Sequence, residues 1–296
     1  MDIKGRTVVV LGGGGLVGTS VCRKLVDEQP KRIIVTSLLK GEAETAVEAL
    51  KSEFPSAKNG FFVPWWGNIF VRTALKDLRR EDILNDDKMR GMLIEDMLDE
   101  LNDDVLKRAA ISNLMQQYKP EIVIDCINSA TAIAYQDIFQ SARTVLQQLR
   151  KQKNGSDPNS VRTATEHLLC TLYVPQLIRH VQLLYRSMHK VGTKIYLKIG
   201  TSGTGGMGLN IPYTHSEERP SSVLLSKSSV AGAQTLLLFL MGRTPDAPIT
   251  KEIKPTAAIA WKRVAFGEIK RRGKPIDLFD CHPKHGFKLS GSLKLR

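Results

Sequence analysis

Thr7-Val8-Val9-Val10-Leu11-Gly12-Gly13-Gly14-Gly15-Leu16-Val17-Gly18 decides how the rest of the chain is read. The apolar, β-branched run Thr7 to Leu11 has no polar alternation, as expected of a strand covered on both faces. Four glycines follow, and Val17 to Val26 then takes up helical spacing. Gly12, Gly15 and Gly18 stand three apart, so backbone without a Cβ can approach a pyrophosphate closely. The helix start, with Leu16 and Val17 in its first turn, offers that group unpaired N–H donors and a partial positive charge. Glycines alone would also suit a flexible loop; the strand before and the helix after favour a dinucleotide-binding turn.

Outward from this turn the same alternation returns. Arg32 to Ser37, Gly60 to Trp65, Glu121 to Ile127, Thr193 to Ile199 and Pro248 to Ile253 read as further strands, with helix-compatible segments between them. Repeated βα units predict an α/β fold, a doubly wound parallel sheet of Rossmann type with right-handed crossovers. Pro64 lies inside the third run and predicts that the strand ends there. Two connections exceed a plain crossover. Phe70 to Tyr118 carries Met89, Leu93 and Met97 at four-residue spacing, then Leu98, Leu101, Val105 and Leu106, which predicts one or two amphipathic helices, for core packing or alternatively a dimer contact or lid. Lys151 to Val161 (KQKNGSDPNSV) reads as a polar surface loop between helices.

The 296 residues, 42% hydrophobic and 25% charged, are those of a folded globular protein, with no apolar stretch of membrane-spanning length and no N-terminal signal peptide. A cytoplasmic location is therefore the expectation. Cys22, Cys126, Cys170 and Cys281 are scattered without a CxxC pair, so neither a disulfide framework nor a metal site is expected. The net charge of +13 raises nucleic acid as a partner, but its distribution does not support one. Lys251 to Arg296 holds twelve basic residues against four acidic, whereas Phe70 to Tyr118 holds eight against eleven. The excess is C-terminal and lacks interleaved aromatics, so it reads as a solvated face. The last eleven residues suggest no element and read as a frayed tail or a chain cut short.

The end of the second strand should lie beside the adenine ribose, where an acidic residue selects NAD. Here it reads Thr36-Ser37-Leu38-Leu39-Lys40, with no acid before Glu42. The Ser37 hydroxyl and Lys40 ammonium suit a 2′-phosphate, so NADP is expected ahead of NAD, unless Lys40 simply opens the next helix in solvent.

With the glycine turn in place, later landmarks resemble the short-chain dehydrogenase/reductase superfamily, in particular its extended branch of nucleotide-sugar epimerases and dehydratases. Trp66-Gly67-Asn68-Ile69 is similar to that family's adenine-side turn, with Asn68 in place of the usual Asp. Lys119-Pro120-Glu121-Ile122-Val123-Ile124-Asp125 is similar to the segment entering the strand beside the nicotinamide, which implies that Asn128, Ser129 and Ala130 form the cofactor wall. Gly200-Thr201-Ser202-Gly203 resembles the strand end with the catalytic hydroxyl, and Ile249 to Pro255 the strand leading into an Arg-Pro-Gly turn, with Pro255 beside the cofactor. Gly273-Lys274-Pro275-Ile276 resembles the hairpin lead that follows.

The departure falls at the chemistry. The family's Tyr-x-x-x-Lys puts a phenol and an ammonium one helical turn apart, the ammonium lowering the phenol pKa and holding the nicotinamide ribose. Here Lys227 is in place and Val223 stands where the tyrosine belongs; no tyrosine of the chain has a lysine four residues later. Three readings stay open. Tyr213 or His215, just before that helix, supplies the proton; or Ser202 with Lys227 suffices; or the domain binds nucleotide without turning it over.

The resemblance thus implies an NAD(P)-dependent oxidoreductase acting on a small carbonyl or alcohol substrate, sugar-like in kind, with a non-catalytic sensor or scaffold as the alternative and pairing into a homodimer through helices. Residues 1–260 are expected to form the nucleotide-binding domain, with helical insertions near 70–118 and 134–165, and 261–296 a partial substrate-domain segment with a basic tail.

Overall fold

The computed structural model describes residues 2–129, 133, 136–152, 158–199, 222–253, 270–271 and 274–275. Six parallel strands, β1 (Thr7–Leu11), β2 (Arg32–Ser37), β3 (Phe62–Trp66), β4 (Ile122–Asp125), β5 (Ile195–Ile199) and β6 (Ile249–Ile253), form one sheet in the order β3-β2-β1-β4-β5-β6. All six fall where apolar runs predicted them. Two further two-residue strands, β7 (Lys270–Arg271) and β8 (Lys274–Pro275), pair antiparallel.

The central strand explains the two layers. Val8, Val9, Val10 and Leu11 are all fully buried, and their side chains alternate between faces. Val8 and Val10 join Ile33, Val35, Ile122 and Ile124 under Cys22 and Leu25 of α1 (Leu16–Asp27) and Val47 and Leu50 of α2 (Lys40–Glu53). Val9 and Leu11 join Ile34, Val123 and Tyr196 on the opposite face. That face is covered by α6 (Ala110–Tyr118), α9 (Tyr173–Val191) and α10 (Ser222–Arg243) through Leu114, Leu184 and Leu238. Each such aliphatic side chain contributes about 2 kcal/mol by leaving water.

Three expectations need correction. The third strand does not end at Pro64: it continues to Trp66, with Pro64 opposite Val35. Because β3 is the sheet edge, only one of its sides needs a ladder, and the missing N–H is tolerated there. The Phe70 to Tyr118 connection is more broken than one or two helices. A 3-10 turn (Thr73–Leu75) leads into α3 (Arg80–Asn85), α4 (Asp87–Leu98), α5 (Asp103–Arg108) and then α6. Polar caps cut it into pieces: Asp86 accepts from Met89 N, and Asn102 accepts from Asp104 N and Val105 N. The polar loop is also shorter than Lys151 to Val161. Helix α7 (Ile138–Gln152) runs into its start, and α8 (Pro158–Leu169) opens with Pro158 at a first-turn position where its missing N–H costs nothing.

Candidate functional site: the glycine turn and the ends of the parallel strands

The sheet order reverses direction at β1, whose neighbours are β2 on one side and β4 on the other. Open α/β sheets take ligands in a crevice at such a point, outside the carboxyl ends of the strands. The glycine turn sits there. Gly12 has φ +71, and a Cβ on it would press against Ile127 Cγ1 at 3.2 Å and Cys126 C at 3.4 Å. Gly18 is the tightest position: a Cβ would overlap Gly12 O and come within 2.6 Å of Gly13 Cα. This contact lets α1 start directly over the turn. Gly15 caps α1 without a side-chain bond, so the first-turn N–H groups of Leu16, Val17 and Gly18 have no acceptor inside the helix. Leu16, 89% exposed, and the half-exposed Val17 project from this turn, and Leu38 and Leu39 stand exposed beyond β2.

Gly13 and Gly14 were invisible to the three-residue spacing, yet both are sterically constrained. A Cβ on Gly13 would lie 3.0 Å from Val10 O and Val35 Cγ1, and one on Gly14 would lie 3.1 Å from Ser37 Cβ. Four consecutive glycines thus let the turn fold back on β2, a closure secured by bonds from Gly14 N to Thr36 O and from Gly12 N to Thr36 Oγ1, both 3.1 Å. That contact brings Ser37 beside the turn. Its hydroxyl donates to Glu42 Oε2 at 2.6 Å, so a carboxylate does stand at the carboxyl end of β2, supplied by the first turn of α2 rather than by the strand. Lys40 opens α2 as an exposed side chain, 3.7 Å from Glu44 and 5.2 Å above the Trp66 ring.

After β3, Gly67 N donates to Ser37 O at 3.0 Å, which holds the Trp66-Gly67-Asn68 turn next to Ser37. Asn68 Oδ1 accepts from Phe70 N at 2.9 Å. Ile69 is 3% exposed and packs in the core below. At the end of β4, Asn128 is exposed, while Ser129 is buried with no hydrogen-bond partner for its Oγ among the described residues. Ser202, Tyr213, His215 and Pro255 lie outside the described residues, as does Ala130. Val223 and Lys227 are both on α10, one turn apart, with side chains outside the described set.

Sequence reasoning missed a buried polar cluster beneath this crevice. Lys198 Nζ lies 3.0 Å from Asp125 Oδ1, with both side chains at most 3% exposed, and also donates to Ile127 O. Asp125 Oδ2 accepts from Tyr196 Oη at 2.8 Å and its Oδ1 accepts from Ile127 N at 2.9 Å. Asp125 thereby shapes the chain segment that leads to Asn128 and Ser129. Burial pushes the Tyr196 phenol well above its ordinary pKa, with the Asp125 charge adding to the effect. Burial also pushes the His180 imidazole down to about 4, with Lys198 lowering it further and Asp125 opposing. The available signal was register: Asp125 and Lys198 are direct partners across β4 and β5. Cys126, raised to about 12 by burial and by Asp125, stays a thiol at neutral pH.

Strand order, switch point and glycine turn together define a Rossmann-type α/β protein. No family model matches the chain. Over 80 residues it is 35% identical to the probable polysaccharide biosynthesis protein EpsC of Bacillus subtilis (strain 168), a match covering 27% of this chain and 12% of that protein. A short-chain dehydrogenase/reductase from Serratia marcescens is structurally similar at a TM-score of 0.43 and 10% identity, covering 86% of this chain and 75% of that one. The UDP-glucose 4-epimerase of Thermotoga maritima, solved with UDP-glucose, is similar at 0.36 and 15% identity, covering 80% and 51%. The chain thus spans about half the length of that epimerase and a small part of EpsC. Among the described residues no helix is long and apolar enough to cross a membrane.

Proposed function

We propose that the chain binds NAD(P) across the β1/β4 switch point and acts as an oxidoreductase of the extended or atypical short-chain type on a carbonyl or alcohol carbon of a small, sugar-like substrate. The observation that carries this reading is the turn itself: the positive φ of Gly12 and the contact of Gly18 with the Gly12 and Gly13 backbone start α1 directly over the end of β1, with its first-turn N–H groups free of intrahelical acceptors. The bound nicotinamide would supply hydride chemistry. The chain's own part is to hold the pyrophosphate at the first-turn amides of Leu16, Val17 and Gly18, and to present Asn128 and Ser129 as the wall of the crevice. The sugar-like substrate class is supported by the match to a polysaccharide biosynthesis protein.

Cofactor choice turns on two side chains. The Lys40 ammonium favours a 2′-phosphate and hence NADP. The Glu42 carboxylate, held by Ser37, favours a free 2′-hydroxyl and carries the second reading, NAD. Lys40→Glu should lower the NADP to NAD affinity ratio at least tenfold if Lys40 contacts the phosphate; an unchanged ratio would leave the choice to Glu42.

Catalysis is the finer step. Lys227 is assigned to the nicotinamide ribose, Ser202 to the substrate hydroxyl contact, and Tyr213 or His215 to the proton that Val223 cannot supply. The non-catalytic alternative is favoured by one observation, the Val223 position one turn before Lys227 on α10. Consumption of NADPH or NADH against a panel of carbonyl compounds, lost in Tyr213→Phe or His215→Ala, supports the enzyme. Tight binding without turnover on any compound supports the scaffold. Pairing of two copies through α9 and α10 belongs to the same reading and is supported by the exposed Ile178, Leu236, Phe239 and Leu240. Light scattering at micromolar protein concentration checks it.

A further inference from the structure

Beside the crevice, between the inserted helices α3 to α5 and helix α9, lies a largely enclosed cavity of about 120 Å³. That is the liquid volume of about four water molecules. Its walls carry three guanidinium groups, Arg72, Arg80 and Arg179, against one carboxylate, Asp96. The carboxylate is already spent. Asp96 takes a two-point bond from Arg72, at 2.6 and 2.9 Å, and a further bond from Arg108 at 2.6 Å.

The other two arginines have no acidic hydrogen-bond partner among the described residues. Arg80 donates only to neutral oxygens, Gln136 Oε1 at 2.8 Å and Cys170 O at 2.6 Å. Arg179 is only 9% exposed; it spends Nε and Nη2 on the carbonyls of Met97 and Asp99 at the C-terminal end of α4, while its buried Nη1 has no partner among the described residues. The adjoining His180, 4% exposed, likewise leaves Nδ1 without a partner on the same cavity wall. Guanidinium groups withdrawn from water without a directly bonded carboxylate are costly, and a buried donor without an acceptor is costly as well. Burial is the main cause that depresses the pKa of both Arg80 and Arg179; at Arg179 the Asp96 and Asp99 charges oppose it and the Arg108 charge adds to it. A guanidinium's planar donors match the oxygens of a carboxylate or phosphate, and the cavity is of that size.

We propose that this cavity binds a small oxyanion, a carboxylate or a phosphate, held by Arg179 Nη1 and Arg80 with His180 at its edge. The site is separate from the glycine turn and does not rest on dinucleotide binding. Its wall includes Asn68, which follows β3 at the carboxyl edge of the sheet, so an anion there adjoins the adenine-side turn. An oxyanion seated in the cavity supplies a directly bonded acceptor to Arg179 Nη1 and Arg80 and ties the inserted helices to α9.

Thermal unfolding of the whole chain with potassium phosphate, and separately with potassium acetate, each against potassium chloride at equal ionic strength, tests this. One oxyanion is expected to raise Tm saturably beyond chloride. The phosphate and acetate arms distinguish a phosphoryl from a carboxylate ligand. In Arg179→Met the shift should vanish, and in Arg80→Gln the apparent affinity should fall at least tenfold. If Arg179→Met does not fold, Arg80→Gln decides. No shift beyond chloride with either oxyanion, or shifts of wild-type size and midpoint in the folded variants, would overturn the proposal; the latter result would move the anion to the helix start at the glycine turn.

Discussion

Acidification should expose His180 as a specific weak point of the fold. The imidazole is 4% exposed, packs against Phe70 at a tilt with ring centroids 4.5 Å apart, and has its pKa pushed by burial from an ordinary 6.5 to about 4. The folded value lies below the unfolded one, so as pH falls the unfolded chain takes up the proton first. Stability tied to neutral His180 is complete above pH 6.5 and drains away between 6.5 and about 4. Between pH 7 and pH 5 the two values give a loss of about 2 kcal/mol, rising to roughly 3 kcal/mol below pH 4. Equilibrium urea unfolding at 25 °C, at pH 7 and pH 5, on the wild type and on His180→Leu measures it. The variant lacks the titrating group, so it should lose about 2 kcal/mol less than the wild type over that interval. Equal losses in the two proteins would show that His180 is not held neutral by burial, and the reasoning would fail. Glu166, lowered by its bonds to Arg162 and Arg90, also sheds stability as pH falls through its folded value, but it does so in both proteins and cancels in the difference.

Other perturbations follow from the same geometry. Gly18→Ala should cost about 3 kcal/mol in chemical denaturation and abolish dinucleotide binding, since its Cβ meets backbone that cannot yield; wild-type affinity in that variant would remove the turn from the site. Asp125→Asn leaves the Lys198 ammonium buried without its partner and should cost about 4 kcal/mol, whereas Asp125→Leu combined with Lys198→Met should recover much of the loss, both read by urea titration. Arg90, 2% exposed, joins α4 to Glu166 of α8 at 2.7 Å, so Arg90→Met should cost about 3 kcal/mol and raise proteolytic cleavage in the inserted helices. Cys126 should resist alkylation at pH 8 in the folded protein and react on unfolding, as a thiol raised to about 12 requires.

β1, β2 and β4 were legible as short apolar runs buried between two layers, whereas β6, with Ile249 and Ile253 exposed, was legible from its place in the βα alternation. Pro64 misled because proline's penalty depends on whether a strand has one neighbour or two, which only the sheet order reveals. The inserted helices were under-counted because apolar spacing runs on across Asp86 and Asn102, whose capping bonds depend on local backbone angles. At the site, Gly12, Gly15 and Gly18 were readable from spacing, while Gly13, Gly14 and Glu42 owe their places to the approach of β2, a contact between segments more than twenty residues apart. The Asp125 and Lys198 pair hid as one charged residue in each of two apolar runs. Arg80 and Arg179 meet one cavity from α3 and α9, and no sequence periodicity joins positions that far apart.

The central claim is that the Gly12 to Gly18 turn holds a dinucleotide. Calorimetric titration of the whole chain with NADP(H) and NAD(H) in parallel tests it most directly. The account predicts saturable binding of at least one of them at micromolar concentrations, with heat lost in Gly18→Ala and the preferred cofactor set by Lys40 and Glu42. Absence of binding by either at millimolar ligand would contradict it and leave the glycine turn as a structural connection between β1 and α1.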